Sequence, residues 1–247
     1  MKVATWNIGG GFVLNPETKK YDISDLDYFI DSLRKIDADL VCLQEVHYLS
    51  DLDNQAAKIA DSLGMKYVIF THANSHIVSG QKLSIAILSK FSLTNCELKL
   101  VTNPKLVAEY KGKQVELHDK GFVLADIEVL GKSISVLSSH LFPFRVFGDS
   151  FSEEQIMALK NEIFEIVSEK KGPTILGVDL NYSDHEFMCE ELLSSGFKQI
   201  VPEGATDWHD QEIDKILVSS DFKVVNSRII KGKADHYLCL AEVEFKD

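Results

Sequence analysis

Five apolar runs of this chain end in residues suited to phosphate chemistry: Thr5-Trp6-Asn7, Leu43-Gln44-Glu45, Ser138-Ser139-His140, Gly177-Val178-Asp179-Leu180-Asn181 and Ala234-Asp235-His236. Each fragment alone is common. Together they predict strands that deliver carboxylates, amides and imidazoles to one edge of a sheet, the way a metal-assisted hydrolase site is assembled. Hydrolysing a phosphoester at neutral pH requires charge neutralisation on the phosphoryl oxygens, an activated water and a stabilised leaving oxygen. Glu45 and Asp235 are hard oxygen donors of the kind that Mg²⁺ or Mn²⁺ takes. Asn7 and Asn181 can hold a metal, a phosphate oxygen or the attacking water without adding charge. Asp179 can accept a proton from that water. His140 and His236 can donate to phosphoryl oxygens, each with a carboxylate to fix its tautomer. No HExxH motif or Cys/His cluster offers a zinc site.

The elements that must position these residues follow from periodicity. Lys2–Ile8, Asp39–Val46, Lys66–Thr71, Leu83–Ser89, Leu93–Val101, Phe122–Leu130, Ser133–Ser139, Pro173–Leu180, Glu212–Ser219, Phe222–Ile230 and His236–Phe245 read as strands. Asp22–Lys35 and Leu52–Leu63 read as helices, the second ending at Gly64 as C-cap. Ser152 with Gln155 opens a helix to about Lys170, and Ser183 with Glu186 opens another that ends near Gly196. Gly131-Lys132-Ser133 suggests a phosphate loop, but Asp126 stands where its first glycine belongs and a strand follows, so a hairpin turn is the better reading. Hairpins and βα units mix along the whole length. That order predicts a single α/β domain over 1–247, a four-layer sandwich of two packed mixed β-sheets flanked by helices.

Composition bounds the partners. The chain has 247 residues, 45% hydrophobic and 26% charged, with a formal charge of −12. That charge lacks the footprint of a protein that coats nucleic acid, though not of one that cleaves a phosphodiester held transiently. The absence of a secretory leader and of a membrane-length apolar stretch, with four cysteines and no CxxC pair, predicts a cytoplasmic protein with reduced thiols. On the same grounds, the Asn181-Tyr182-Ser183 sequon carries no weight. Oligomeric state is not encoded in any of these features.

The motifs in this order resemble the endonuclease/exonuclease/phosphatase superfamily, with its deoxyribonuclease-I-like fold, from Thr5 to Asp247. The resemblance rests on Trp6-Asn7, Gln44-Glu45, Ile85-Ala86-Ile87-Leu88-Ser89-Lys90, His140-Leu141, Gly177 through Asn181, Ile213-Asp214 and Ala234-Asp235-His236. It implies that Glu45 is the main Mg²⁺ ligand, with Asn7 and Asp235 completing the site. It further implies that Asp179 positions or deprotonates the water, that Asn181 orients it, and that His140 and an Asp214-paired His236 stabilise the transition state or assist the leaving group. The sequence departs from the family at three places. Ala234 replaces the usual Ser, Val178 adds a residue between Gly177 and Asp179, and Ser84 stands where Gly is common.

The resemblance implies a divalent-metal-dependent phosphodiesterase, most of all a nuclease-like one. A phosphatase or phosphodiesterase for lipid headgroups, phosphorylated small molecules or protein–nucleic acid adducts is the alternative, and a binding module that kept the fold is a remote third. Of the three arginines, only Arg145 lies close in sequence to a motif, which makes it the expected phosphate clamp. Phe144, in the aromatic run after His140, and Trp208 are expected substrate contacts, against a reading in which the run packs on the core. His47 shares strand parity with Glu45 and is expected to be a satisfied imidazole rather than a ligand. The Gly9-Gly10-Gly11 run reads as a loop beside Asn7.

Overall fold

The computed structural model describes residues 1–110, 112–201 and 203–246. In chain order its elements are β1 (Lys2–Asn7), β2 (Phe12–Leu14), β3 (Tyr21–Ser24), α1 (Leu26–Ile36), β4 (Leu40–Ser50), β5 (Asp53–Asn54), α2 (Gln55–Leu63), β6 (Lys66–Asn74), β7 (Lys82–Ser89) and β8 (Thr94–Leu100). There follow β9 (Val107–Tyr110), β10 (Lys113–Glu116), β11 (Gly121–Val129), β12 (Lys132–His140), α3 (Phe144–Phe147), α4 (Glu153–Ser168) and β13 (Thr174–Asp179). The chain closes with α5 (His185–Ser194), β14 (Lys198–Gln199), β15 (Asp214–Val218), β16 (Phe222–Ile230) and β17 (Leu238–Phe245).

Two large sheets carry most of the strands, in the orders β16-β17-β1-β4-β7-β6, with β5 beside β4, and β14-β15-β13-β12-β11-β8, while β2-β3 and β9-β10 pair separately. Each is mixed, with one parallel pair, β1 on β4 in the first and β12 on β13 in the second. Period-two alternation explains how they pack. Val3, Leu40, Cys42, Ile85 and Ile87 of one sheet meet Val123, Ile134, Val136, Ile175, Ile216 and Val218 of the other in a shared apolar layer. The opposite faces pack on helices. Ala4, Trp6, Val41 and Leu43 lie with Phe29, Leu33, Ile59 and Ala60 of α1 and α2. Leu137, Leu176, Val178 and Leu217 lie with Leu159, Ile163 and Leu192 of α4 and α5. The result is the expected helix–sheet–sheet–helix sandwich.

Toward one end of the sandwich the shared layer turns from aliphatic to small and polar. Gln44 Nε2 donates to Thr5 Oγ1 (3.1 Å) and Ser138 Oγ (3.2 Å), crossing between the sheets. A polar group buried there costs stability unless it is bonded, and this one is. A Cβ on Gly177 would lie 2.6 Å from Cys42 Cβ and 2.8 Å from its Sγ, so glycine is what lets the sheets approach. Asn7, His140, Asp179 and Asp214 then stand on the same inner faces at the rim.

Local boundaries differ from the sequence reading where short polar segments pair. Tyr21–Ser24 is a strand on β2, so α1 starts later, capped by Asp25, whose carboxylate accepts from Tyr28 N. Asn54 caps α2 after the two-residue β5. The Ser152–Gln155 capping box is present. The Ser183–Glu186 box is corrected, because Asp184 takes the cap, accepting from Phe187 N at 3.1 Å.

Gly177→Ala should overpack the sheet interface, cost about 1–3 kcal/mol and lower the melting midpoint by about 2–4 °C per kcal/mol. Gly148→Ala, at a right-handed helical position with open space around it, should melt like the parent protein. Equal midpoints for both variants would refute the close-approach argument.

Candidate active site

The rim is built largely from strand ends, and a bulge supplies one of its carboxylates. Along β4 the residues Val41 and Leu43 face the helices, so unbroken alternation would send Glu45 the same way. Pairing with β7 slips between Leu43 and Val46, and Glu45 takes φ 53°. A bulge of this kind re-aims one side chain. Val46 resumes the helix-facing position, and Glu45 is left free to turn into the cleft, where its Oε1 lies 3.8 Å from His140 Nε2. Asn181 also adopts a left-handed conformation, φ 51°, which asparagine tolerates well.

Asp179, fully buried at the end of β13, ties the rim together. Its Oδ2 accepts from Asn7 Nδ2 at 2.9 Å, and its Oδ1 accepts from the Asn181 backbone N–H at 2.9 Å. The same Oδ2 lies 3.6 Å from His140 Nε2 and 3.9 Å from His236 Nδ1. Asn7 spends its Oδ1 on Gly9 N (3.0 Å), and a Cβ on Gly9 would stand 3.0 Å from Asp235 Oδ1. The glycine turn is therefore the close packing surface between Asn7 and Asp235.

The two imidazoles are electrostatic opposites. His236 Nδ1 is 2.9 Å from Asp214 Oδ2. Burial works against the charged ring, but the Asp214 and Asp179 carboxylates outweigh it and hold His236 well above the ordinary imidazole range. Its backbone is fixed by Trp6 Nε1, which donates to His236 O at 3.0 Å, and by pairing of 206–208 with 235–237. His140 is buried too, and burial together with the Lys120 ammonium drives it well below that range. One ring is thus held as a cation and the other as a neutral imidazole.

Lys120 is the member that the motif reading missed. It is 6% exposed, with Nζ 3.1 Å from His140 Nδ1 and 3.4 Å from Nε2. Burial pulls its pKa down to about 8, against the Glu45 and Asp179 carboxylates that hold it up. A usable signal was present: counting back from the hairpin turn at Gly131 puts Gly121 opposite His140, and Lys120 adjoins Gly121.

The expected substrate contacts separate. Phe144 is corrected: its ring is 8% exposed and packs 4.7 Å from both Phe151 and Tyr182, so it belongs to the core beneath α4. Arg145 is exposed and pairs with His209. Trp208 is 47% exposed, its ring tilted against His209 (3.9 Å) and near Tyr21 (5.4 Å), next to the backbone of Asp235. His47 is buried, with Nε2 2.8 Å from Ser75 Oγ and Gly10 packed on its ring.

The donor set fits a hard divalent cation. Burial, joined by the Asp235 carboxylate and opposed by His76, pushes the Glu45 carboxyl up, as expected of like charges facing one another in a desolvated cleft. Among the described residues no hydrogen-bond donor reaches a Glu45 oxygen; the His140 ring is its nearest basic partner. Asp179, Asp214 and His236 also bring ligand atoms within 4.8 Å of one another. In that cluster, however, the imidazole is already committed to Asp214. Glu45 and Asp235, beside Asn7, are the carboxylates that lack a comparable partner.

Comparison with known proteins agrees with this architecture. No curated protein matches the sequence. Among solved structures, an endonuclease/exonuclease/phosphatase from Beutenbergia cavernae superposes with a TM-score of 0.76 at 17% identity, covering 99% of this chain and 71% of that one. The human Nocturnin catalytic domain with bound sulfate gives 0.66 at 17% identity, covering 100% and 93%. A mannosyl-6-phosphatase of Bacteroides thetaiotaomicron gives 0.65 at 14%, covering 99% and 100%. The Endonuclease/Exonuclease/phosphatase family profile matches residues 4–236. The chain belongs to the endonuclease/exonuclease/phosphatase family, whose members are hydrolases of phosphoesters.

Proposed function

We propose that the protein is a Mg²⁺-dependent phosphodiesterase of nuclease-like type, acting through an activated water. The observation that carries this reading is the convergence at one rim of Glu45, Asp235, Asn7, Asp179, Asn181, Asp214 and two imidazoles, one cationic and one neutral. Glu45 and Asp235 would hold the metal beside Asn7, with Mn²⁺ as a substitute. When bound, the metal supplies charge neutralisation at the phosphoryl oxygens and lowers the pKa of water. Asp179 accepts the proton of the attacking water, and Asn181 orients that water. His236, held cationic by Asp214, gives its proton to the leaving oxygen, while the neutral His140 donates a hydrogen bond to a non-bridging oxygen. Trp208 offers an exposed ring on which a base of a transiently held nucleic acid can stack.

A second reading is favoured by the charge of −12 and only three arginines. These give little support for tracking a polymer backbone, and suit a small phosphorylated substrate instead. The similarity in fold to a mannosyl-6-phosphatase adds to it. The free cysteines, three of them buried, are in keeping with a reducing cytoplasm, and no helix among the described residues is long and apolar enough to cross a membrane.

Asp179→Ala should keep the circular-dichroism spectrum and lose about 10²–10⁴-fold in kcat, and Glu45→Ala should abolish the Mg²⁺-stimulated rate. Undiminished turnover in either variant would remove that residue from the mechanism. Removing metal with a chelator should stop hydrolysis, and added Mg²⁺ should restore it. Oligonucleotides, bis(p-nitrophenyl) phosphate and sugar phosphates assayed side by side under Mg²⁺ should show the highest kcat/KM on diesters. Turnover confined to monoesters would establish the second reading instead.

A further inference from the structure

Lys120 is a buried cation with no anion in direct contact. Its Nζ meets only the His140 ring within hydrogen-bond reach, and no carboxylate lies within 4 Å of it among the described residues. A charge taken out of water without a partner is costly, and such groups persist where a ligand completes them. The polar atoms around it point the same way. His72 Nδ1 donates to the Asp119 carbonyl at 3.0 Å, which leaves its Nε2 buried with no partner, 6.3 Å ring to ring from His140. Asp119, the nearest acid in sequence, is instead occupied by Lys105 and Asn103.

Position decides what the missing anion is. The His140 Nε2 that Lys120 touches is also 3.6 Å from Asp179 and 3.8 Å from Glu45, so the ammonium borders the place where the reacting group sits. We infer that Lys120 is a substrate-binding residue that grips a non-bridging oxygen of the scissile phosphoryl group. This rests on the phosphoester-hydrolase reading and adds to it a cation that none of the strand-end motifs contains. It also takes the part that sequence spacing assigns to Arg145, which stands exposed at the outer rim with His209.

The test uses Lys120→Met, which keeps the stem and removes the charge, and Lys120→Arg, which keeps the charge. Inorganic phosphate is the probe, titrated calorimetrically into the Mg²⁺-loaded protein. Lys120→Met should bind phosphate about 10–100-fold more weakly, the loss expected for one charge-assisted hydrogen bond. Relieved of an unpaired buried charge, it should also melt about 3 °C or more higher without phosphate. Its kcat/KM should fall on bis(p-nitrophenyl) phosphate and on p-nitrophenyl phosphate alike, with partial recovery in Lys120→Arg. Unchanged phosphate affinity, or a melting point below the parent's, would overturn the assignment. So would a kinetic loss confined to substrates bearing a second phosphate. Phosphate affinity and melting need no turnover, so their expected shifts in a protein that hydrolyses nothing would uphold the subsite while the hydrolase reading fell.

Discussion

The whole site depends on two sheets whose inner faces end at the same rim. Between the sheets a polar side chain is costly unless it is bonded, so the layer runs through Ile, Val and Cys before it reaches Thr5, Ser138 and Gly177. Asn7, His140, Asp179 and Asp214 stand on the inner faces at its end; strand register sets His140 opposite Asp179 and Asp179 opposite Asp214, and Asn7 joins them from the other sheet through its bond to Asp179. The Gln44–Thr5–Ser138 bonds and Gly177 hold the sheets at the separation this requires. The placement of Asn7, His140, Asp179 and Asp214 is therefore a consequence of sheet packing, while Asp235 and His236 reach the rim from the loop between β16 and β17.

Desolvation gives that geometry its chemistry. Four carboxylates share the rim with two imidazoles and one ammonium, and burial makes each charge answer to its neighbours. Asp214 and Asp179 keep His236 charged; Lys120 helps keep His140 neutral. Two residues of the same type thereby acquire different capacities, one to give a proton and one only to donate a hydrogen bond. The bulge at Glu45 belongs to the same logic. Its left-handed backbone is a local strain of the kind retained where a side chain must be re-aimed.

Much of this was legible in the sequence because strand ends are marked by abrupt changes from aliphatic to polar residues. The runs ending at Asn7, Glu45, His140 and Asp179 carry that signal, and so does the family resemblance. The signal failed where position depends on partners far along the chain. Lys120 looks like an ordinary charge before a strand until the hairpin register places it against His140. Phe144 looks like an exposed ring until α4 and Tyr182 close over it. The strand Tyr21–Ser24 exists only because β2 lies beside it, and Ser183 and Asp184 cap equally well in sequence, so only the fold shows that Asp184 caps α5.

The central claim is that the inner-face rim holds a divalent cation on Glu45 and Asp235 for phosphoester chemistry. Mn²⁺ binding followed by electron paramagnetic resonance tests it without reference to any substrate. The parent protein should sequester Mn²⁺, with Mg²⁺ competing. Glu45→Gln, which keeps the size and removes the charge, should weaken binding by about 10–100-fold or more, at least the loss typical of second-shell changes at metal sites. Equal Mn²⁺ affinity in the parent and in Glu45→Gln would contradict the account.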